Sequence, residues 1–83
     1  RSFALAAHMK VLGLEAGVPD LFLAYPTDPW RGLFIEMKSE KGKCTVSQEK
    51  MQDALVKAGY SVRVCRSLED FIAAVKGYFG EAL

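Results

Sequence analysis

The chain has 83 residues, 51% of them apolar and 25% charged, with a net charge of +1. That length fits one modest core, and near-neutrality excludes a polycation that holds nucleic acid by bulk charge. Its apolar runs fall well short of the ~20 residues a bilayer-spanning helix needs, so no membrane partner is expected.

A single domain over residues 1–83 follows, and because the chain opens at Arg1 rather than Met, a short N-terminal segment is expected upstream. Residues 2–12 read as a helix, with Phe3, Ala6, Ala7, Lys10 and Leu14 near helical spacing and Gly13 as its stop. His8 lies mid-helix and reads as structural, and with Lys10 it breaks any signal-peptide pattern. A Gly17-Val18-Pro19 bend leads into a short strand over residues 21–25. "PTDPWRG" is turn chemistry, with Pro26 and Pro29 bracketing Asp28. Residues 33–38 form the hairpin partner.

"KSEKGKC" is a polar loop. Thr45-Val46-Ser47-Gln48 then fits a capping box, with Thr45 as N-cap and Gln48 reaching back. Met51, Ala54, Leu55 and Ala58 supply an apolar stripe, and Gly59 ends the helix. Residues 60–66 alternate, setting Tyr60, Val62 and Val64 against Ser61, Arg63 and Cys65, as in a strand with one covered face. Ser67 opens a last helix whose stripe is Leu68, Phe71, Ile72, Val75 and Phe79. The order α-β-β-α-β-α predicts an α/β fold, a small mixed sheet of three or four strands flanked by helices. Cys44 and Cys65 do not make a disulfide framework, so a reduced cytoplasm is the expected setting and neither is given a chemical role.

Two charged sites sit at the ends of the predicted hairpin. In a strand, residues two apart share a face and lie roughly 6.6 Å apart. Leu33, Ile35 and Met37 therefore point one way, toward a helix layer, and Phe34, Glu36 and Lys38 the other. Asp20 opens the neighbouring antiparallel strand, so it should come close to Glu36 and Lys38. The two carboxylates would repel without a cation and can share a hard one, with water or backbone oxygens completing its shell. With His8 as the one histidine, no His/Cys cluster exists for zinc, and Mg²⁺ or Mn²⁺ is the consistent choice. A polarising metal beside a lysine that stabilises a charged transition state is a set of parts for phosphodiester hydrolysis. Taken singly, Pro-Asp is a common turn and Glu-x-Lys a common surface salt bridge. Their joint placement favours chemistry.

The stretches "GVPDLFL", "LFIEMKSEKGKCTVSQ" and "LVKAGYSVRVCRSLED", with the closing amphipathic helix, resemble the virus-type replication-repair nuclease (VRR-NUC) domain of the PD-(D/E)xK superfamily. The resemblance covers nearly the whole chain. It implies a restriction-endonuclease-like core and Mg²⁺- or Mn²⁺-dependent cleavage of DNA. It also implies that Asp20, Glu36 and Lys38 are the motif residues and that the Met37 carbonyl joins the metal. Gln48 matches the family glutamine, which would orient water or touch the scissile phosphate. Its other reading is the helix cap alone, one side chain being ill-suited to both. Lys41 and Lys43, just past the motif lysine, are implied phosphate contacts. Arg63 and Arg66 either extend that surface or sit solvated at a strand edge. Tyr25 and Trp30, flanking the turn, either stack on a base or DNA end or pack on their own domain or a subunit partner.

In one respect the sequence departs from the family pattern. Many superfamily members carry a further acid on the first helix, whereas no acid precedes Glu15 here. The number of metal ions is thereby left open. Stand-alone domains of the family look like phage or bacterial proteins and resemble Holliday-junction resolvases, which act as homodimers on four-way DNA. Exposure of Phe3, Trp30, Tyr78 or Phe79 would favour such a dimer. The same motif in a larger protein would resemble a monomeric flap or repair nuclease. A different class is a nucleic-acid-binding domain that keeps the fold without turnover, which an intact acid pair argues against.

Overall fold

In the computed structural model, residues 9–11 and 17–80 are described. Strands β1 (Met9–Val11), β2 (Leu21–Leu23) and β3 (Leu33–Met37) are antiparallel neighbours, and β4 (Ser61–Cys65) runs parallel to β3. The sheet order is β1-β2-β3-β4. A parallel neighbour requires a long crossover, which helix α1 (Val46–Lys57) supplies; α2 (Leu68–Tyr78) follows β4. Among the described residues, no helix is long and apolar enough to cross a membrane.

Met9–Val11 is a strand and not part of a helix. Its apolar–polar–apolar pattern satisfies both periods over so short a run, and pairing with β2 decides it. The rest of the expected first helix, with Phe3 and His8, lies outside the described residues. The other strands are one or two residues shorter than expected, as pairing stops before the sequence pattern does.

Leu23, Leu33 and Ile35 are fully buried with Cys65, Ala74, Val75 and Tyr78, and Met9, Leu21, Trp30, Phe71 and Phe79 pack around them. Each such Leu or Ile stabilises by roughly 1.5–3 kcal/mol. The α2 face in this core is Phe71, Ala74, Val75 and Tyr78, so two members of the expected stripe point elsewhere: Leu68 and Ile72 are exposed. Helix α1 adds nothing to the cluster; Met51 and Leu55 are half-buried, and Ala54 and Ala58 are exposed.

The expected aromatic exposure is also corrected. Tyr78 is buried and donates its hydroxyl to the Tyr25 carbonyl at 2.6 Å, and Trp30 and Phe79 are half-buried against the core. Tyr25 packs edge-on to Phe79, with ring centres 5.4 Å apart. Cys65, assigned to a polar face, is buried because α2 covers that face.

Both helix starts behave as their sequences imply. Ser67 caps α2 by accepting from Asp70 N–H at 3.0 Å. At the far end of α1, Gly59 has φ +100°, Gly59 N–H donates to Val56 O, and Tyr60 N–H donates to Leu55 O. That Schellman arrangement satisfies the last carbonyls of α1 and turns the chain into β4.

Candidate active site

The β2–β3 register pairs Leu21 with Ile35. One further step sets Asp20 opposite Glu36 and Pro19 opposite Met37. Residues directly opposite share a face, with Cβ atoms about 4.5–5.5 Å apart. The two carboxylates are thus brought together by hairpin geometry. The ladder itself ends at Leu21 and Ile35, and Pro19, fully buried, has no N–H with which to extend it. Met37 N–H instead donates to Asp20 Oδ2 at 2.8 Å. This bond fixes the Asp20 carboxylate and leaves the Met37 carbonyl unclaimed by position 19.

Upstream, Gly17 has φ +89°, and a Cβ there would lie 3.0 Å from the Ser47 carbonyl oxygen. A left-handed glycine in close contact with the start of α1 therefore brings the Pro19-Asp20 lead against that helix.

Glu36 is only 3% exposed, and its Oε1 is buried with no hydrogen-bond partner. Burial first, and then the Asp20 carboxyl, push the Glu36 pKa above its ordinary 4.5, while Lys38 pulls it down by less. Lys38 is half-buried, and its ammonium donates to Gln48 Oε1 at 2.8 Å. The same Oε1 accepts from Thr45 N–H at 2.8 Å, while Gln48 N–H donates to Thr45 Oγ1 at 3.2 Å. Gln48 therefore completes the capping box and orients the lysine at once. An amide oxygen has two lone pairs, and Thr45 and Lys38 use one each.

Met37 also differs from expectation. It is 37% exposed rather than packed in the core, because β3 ends at Met37, beyond the cover that buries Leu33 and Ile35. Lys41 and Lys43 are exposed on the loop past Lys38. Arg66, left open by the sequence, turns its guanidinium back to that loop at Ser39. Only the β3–β4 register, which sets Cys65 beside Met37, could have revealed it. A cleft of about 600 Å³ lies at the opposite end of the sheet, lined by Trp30, Ser61 and Tyr78, and includes none of these groups.

The described residues contain no cluster of three or more His, Cys, Asp and Glu side chains. The fit for a metal therefore rests on two carboxylates with the Met37 carbonyl. An orphaned, desolvated Glu36 oxygen opposite a second carboxylate is costly alone and is relieved by a hard cation. The residues fit a divalent ion held by oxygen.

Comparison with known proteins identifies the family and the fold. The VRR-NUC domain family matches residues 2–69. A solved structure described as a VRR_NUC domain protein superposes with a TM-score of 0.84 at 25% identity, over 92% of this chain and 70% of that one. No curated protein matches the chain in sequence. With a match over most of its length and the same fold, the chain belongs to the VRR-NUC family, a nuclease family of the PD-(D/E)xK type.

Proposed function

We propose that residues 1–83 form a single Mg²⁺- or Mn²⁺-dependent DNA endonuclease domain that acts as a homodimer on branched DNA, with the four-way junction as its substrate. The observation that carries the catalytic reading is the buried Glu36 oxygen without a partner, opposite Asp20 and beside a tethered Lys38. The junction and the dimer rest on likeness to the stand-alone members of the family. A symmetric junction needs two coordinated cuts, and a two-fold dimer supplies two sites.

Asp20 and Glu36, with the Met37 carbonyl, are the proposed metal ligands. When bound, the ion supplies a polarised phosphoryl oxygen and a bound water of lowered pKa. The Met37 N–H holds Asp20 Oδ2 in one orientation, so the carboxylate need not reorganise. Gln48 holds the Lys38 ammonium where negative charge develops on the phosphate, and its amide N–H groups are left for substrate. Lys41 and Lys43 lie along the incoming strand. Water oxygen bonds to phosphorus and gives up a proton to solvent, the bond to the leaving sugar oxygen breaks, and that oxygen takes up a proton from solvent.

The test incubates a labelled four-way junction, a flap and a linear duplex with Mg²⁺, Mn²⁺ or EDTA. Metal-dependent cutting with preference for the junction is expected, with Lys38→Ala slower by roughly 100-fold or more. Preference for the flap would make this a repair-type nuclease. Binding without metal-dependent cutting of any of the three would leave a non-catalytic binding domain and overturn the enzyme.

A further inference from the structure

Arg66 follows the last residue of β4, beside the point where Lys38 leaves β3. Lys38 N–H donates to the Cys65 carbonyl at 2.9 Å, carrying the parallel ladder one step past Met37. The Arg66 N–H donates to Asp70 Oδ2 at 2.9 Å, in the first turn of α2, so its backbone is anchored. Its guanidinium turns the other way. Nη1 donates to the Ser39 carbonyl at 2.9 Å and also to the Gly42 carbonyl. Those two residues close a turn, with Gly42 N–H donating to Ser39 O at 3.1 Å.

One nitrogen thus grips both ends of the turn that contains Lys41 and runs directly into Lys43. Both lysines are exposed, and an untethered polar loop would let them sample many positions. A rigid guanidinium fork loses less freedom per hydrogen bond than a lysine would.

We infer that Arg66 is a positioning residue, fixing the 39–42 turn so that Lys41 and Lys43 meet the phosphates of the strand presented to Asp20, Glu36 and Lys38. This deepens the proposed DNA-cutting site and rests on it. A direct phosphate contact by Arg66 is a different role, and coupling between the residues separates the two. If Arg66 acts through the lysines, its removal matters only while they are present.

The experiment places Arg66→Ala in the wild-type chain and in the Lys41→Ala/Lys43→Ala chain. Binding to a fluorescein-labelled duplex is followed by anisotropy in EDTA, where the proposed site does not cut. About tenfold weaker binding is expected in the first background and less than about twofold in the second. Equal losses in both backgrounds overturn the inference, because Arg66 then contacts DNA itself or acts through overall stability.

A second arm needs no DNA. Trypsin cleavage after Lys41 and Lys43 is expected to accelerate about tenfold in Arg66→Ala, with cleavage after Lys57 in α1 unchanged. Unchanged rates at the loop, or equal acceleration at Lys57, overturn it. If the wild-type chain bound no DNA, the proposed substrate would fall while this arm still decided the grip of Arg66 on the turn.

Discussion

Glu36 concentrates the cost of burying a carboxylate at a single residue of the proposed site. Its folded pKa is raised by burial and by Asp20. The stability that protonated Glu36 contributes is fully present below its ordinary value of 4.5 and is lost as pH rises through the folded value. Thermal melts in EDTA should therefore show stability falling over that window, and Glu36→Gln should flatten its share of the slope. At neutral pH, Mg²⁺ should raise the melting temperature of the wild type and not of Glu36→Gln, since a ligand bound only by the folded state stabilises it. An unchanged slope in the variant would remove Glu36 as its source. The nearness of Asp20, Glu36 and Lys38 was legible in sequence because hairpin geometry sets them together. The burial of Glu36 was not, since strand alternation assigns a face without saying whether anything covers it.

Among the elements, α1 joins a local cap to a distant side chain. Thr45→Ala removes the acceptor for Gln48 N–H but leaves Thr45 N–H and Lys38 Nζ on Gln48 Oε1. It should cost about 1 kcal/mol, a fall of about 4–8 °C in melting temperature, with little change in cutting. Gln48→Ala should cost a similar stability and also slow cutting by about tenfold or more, because Lys38 loses its acceptor. Equal cutting by the two variants would reduce Gln48 to a cap. The box "TVSQ" and the glycine after α1 were readable because capping is local chemistry. The strand at Met9–Val11 was not, for a three-residue edge strand is decided by its neighbour and by no pattern of its own. The stripe of α2 was misassigned for a related reason: helical spacing offers two adjacent faces, and packing on Leu33 and Ile35 selects the one with Ala74 and Tyr78.

For the molecule as a whole, assembly depends on the apolar surface left outside the core. The aromatics once counted toward an interface, Trp30, Tyr78 and Phe79, are spent on the protein's own core. The large exposed apolar residues of the helices are instead Leu68 and Ile72 on α2 and Val46 and Val56 on α1. Light scattering at micromolar concentration should report twice the 9.2 kDa chain mass if the resolvase reading holds. A single-chain mass would overturn paired cutting and favour the flap enzyme. The fold class was legible because element order restricts topology severely; assembly was not, because it depends on which apolar groups the core leaves over. The ladder that stops at Leu21, short of Asp20 and Pro19, has a further consequence. Asp20, Glu36 and Lys38, the proposed reacting groups, sit on the rim where the hairpin's pairing gives out, and the cleft of about 600 Å³ lies at the other end. A polymer crossing such a rim needs no free end to thread, and both severed pieces can depart sideways. That is the access the proposed endonuclease would need to cut within a strand.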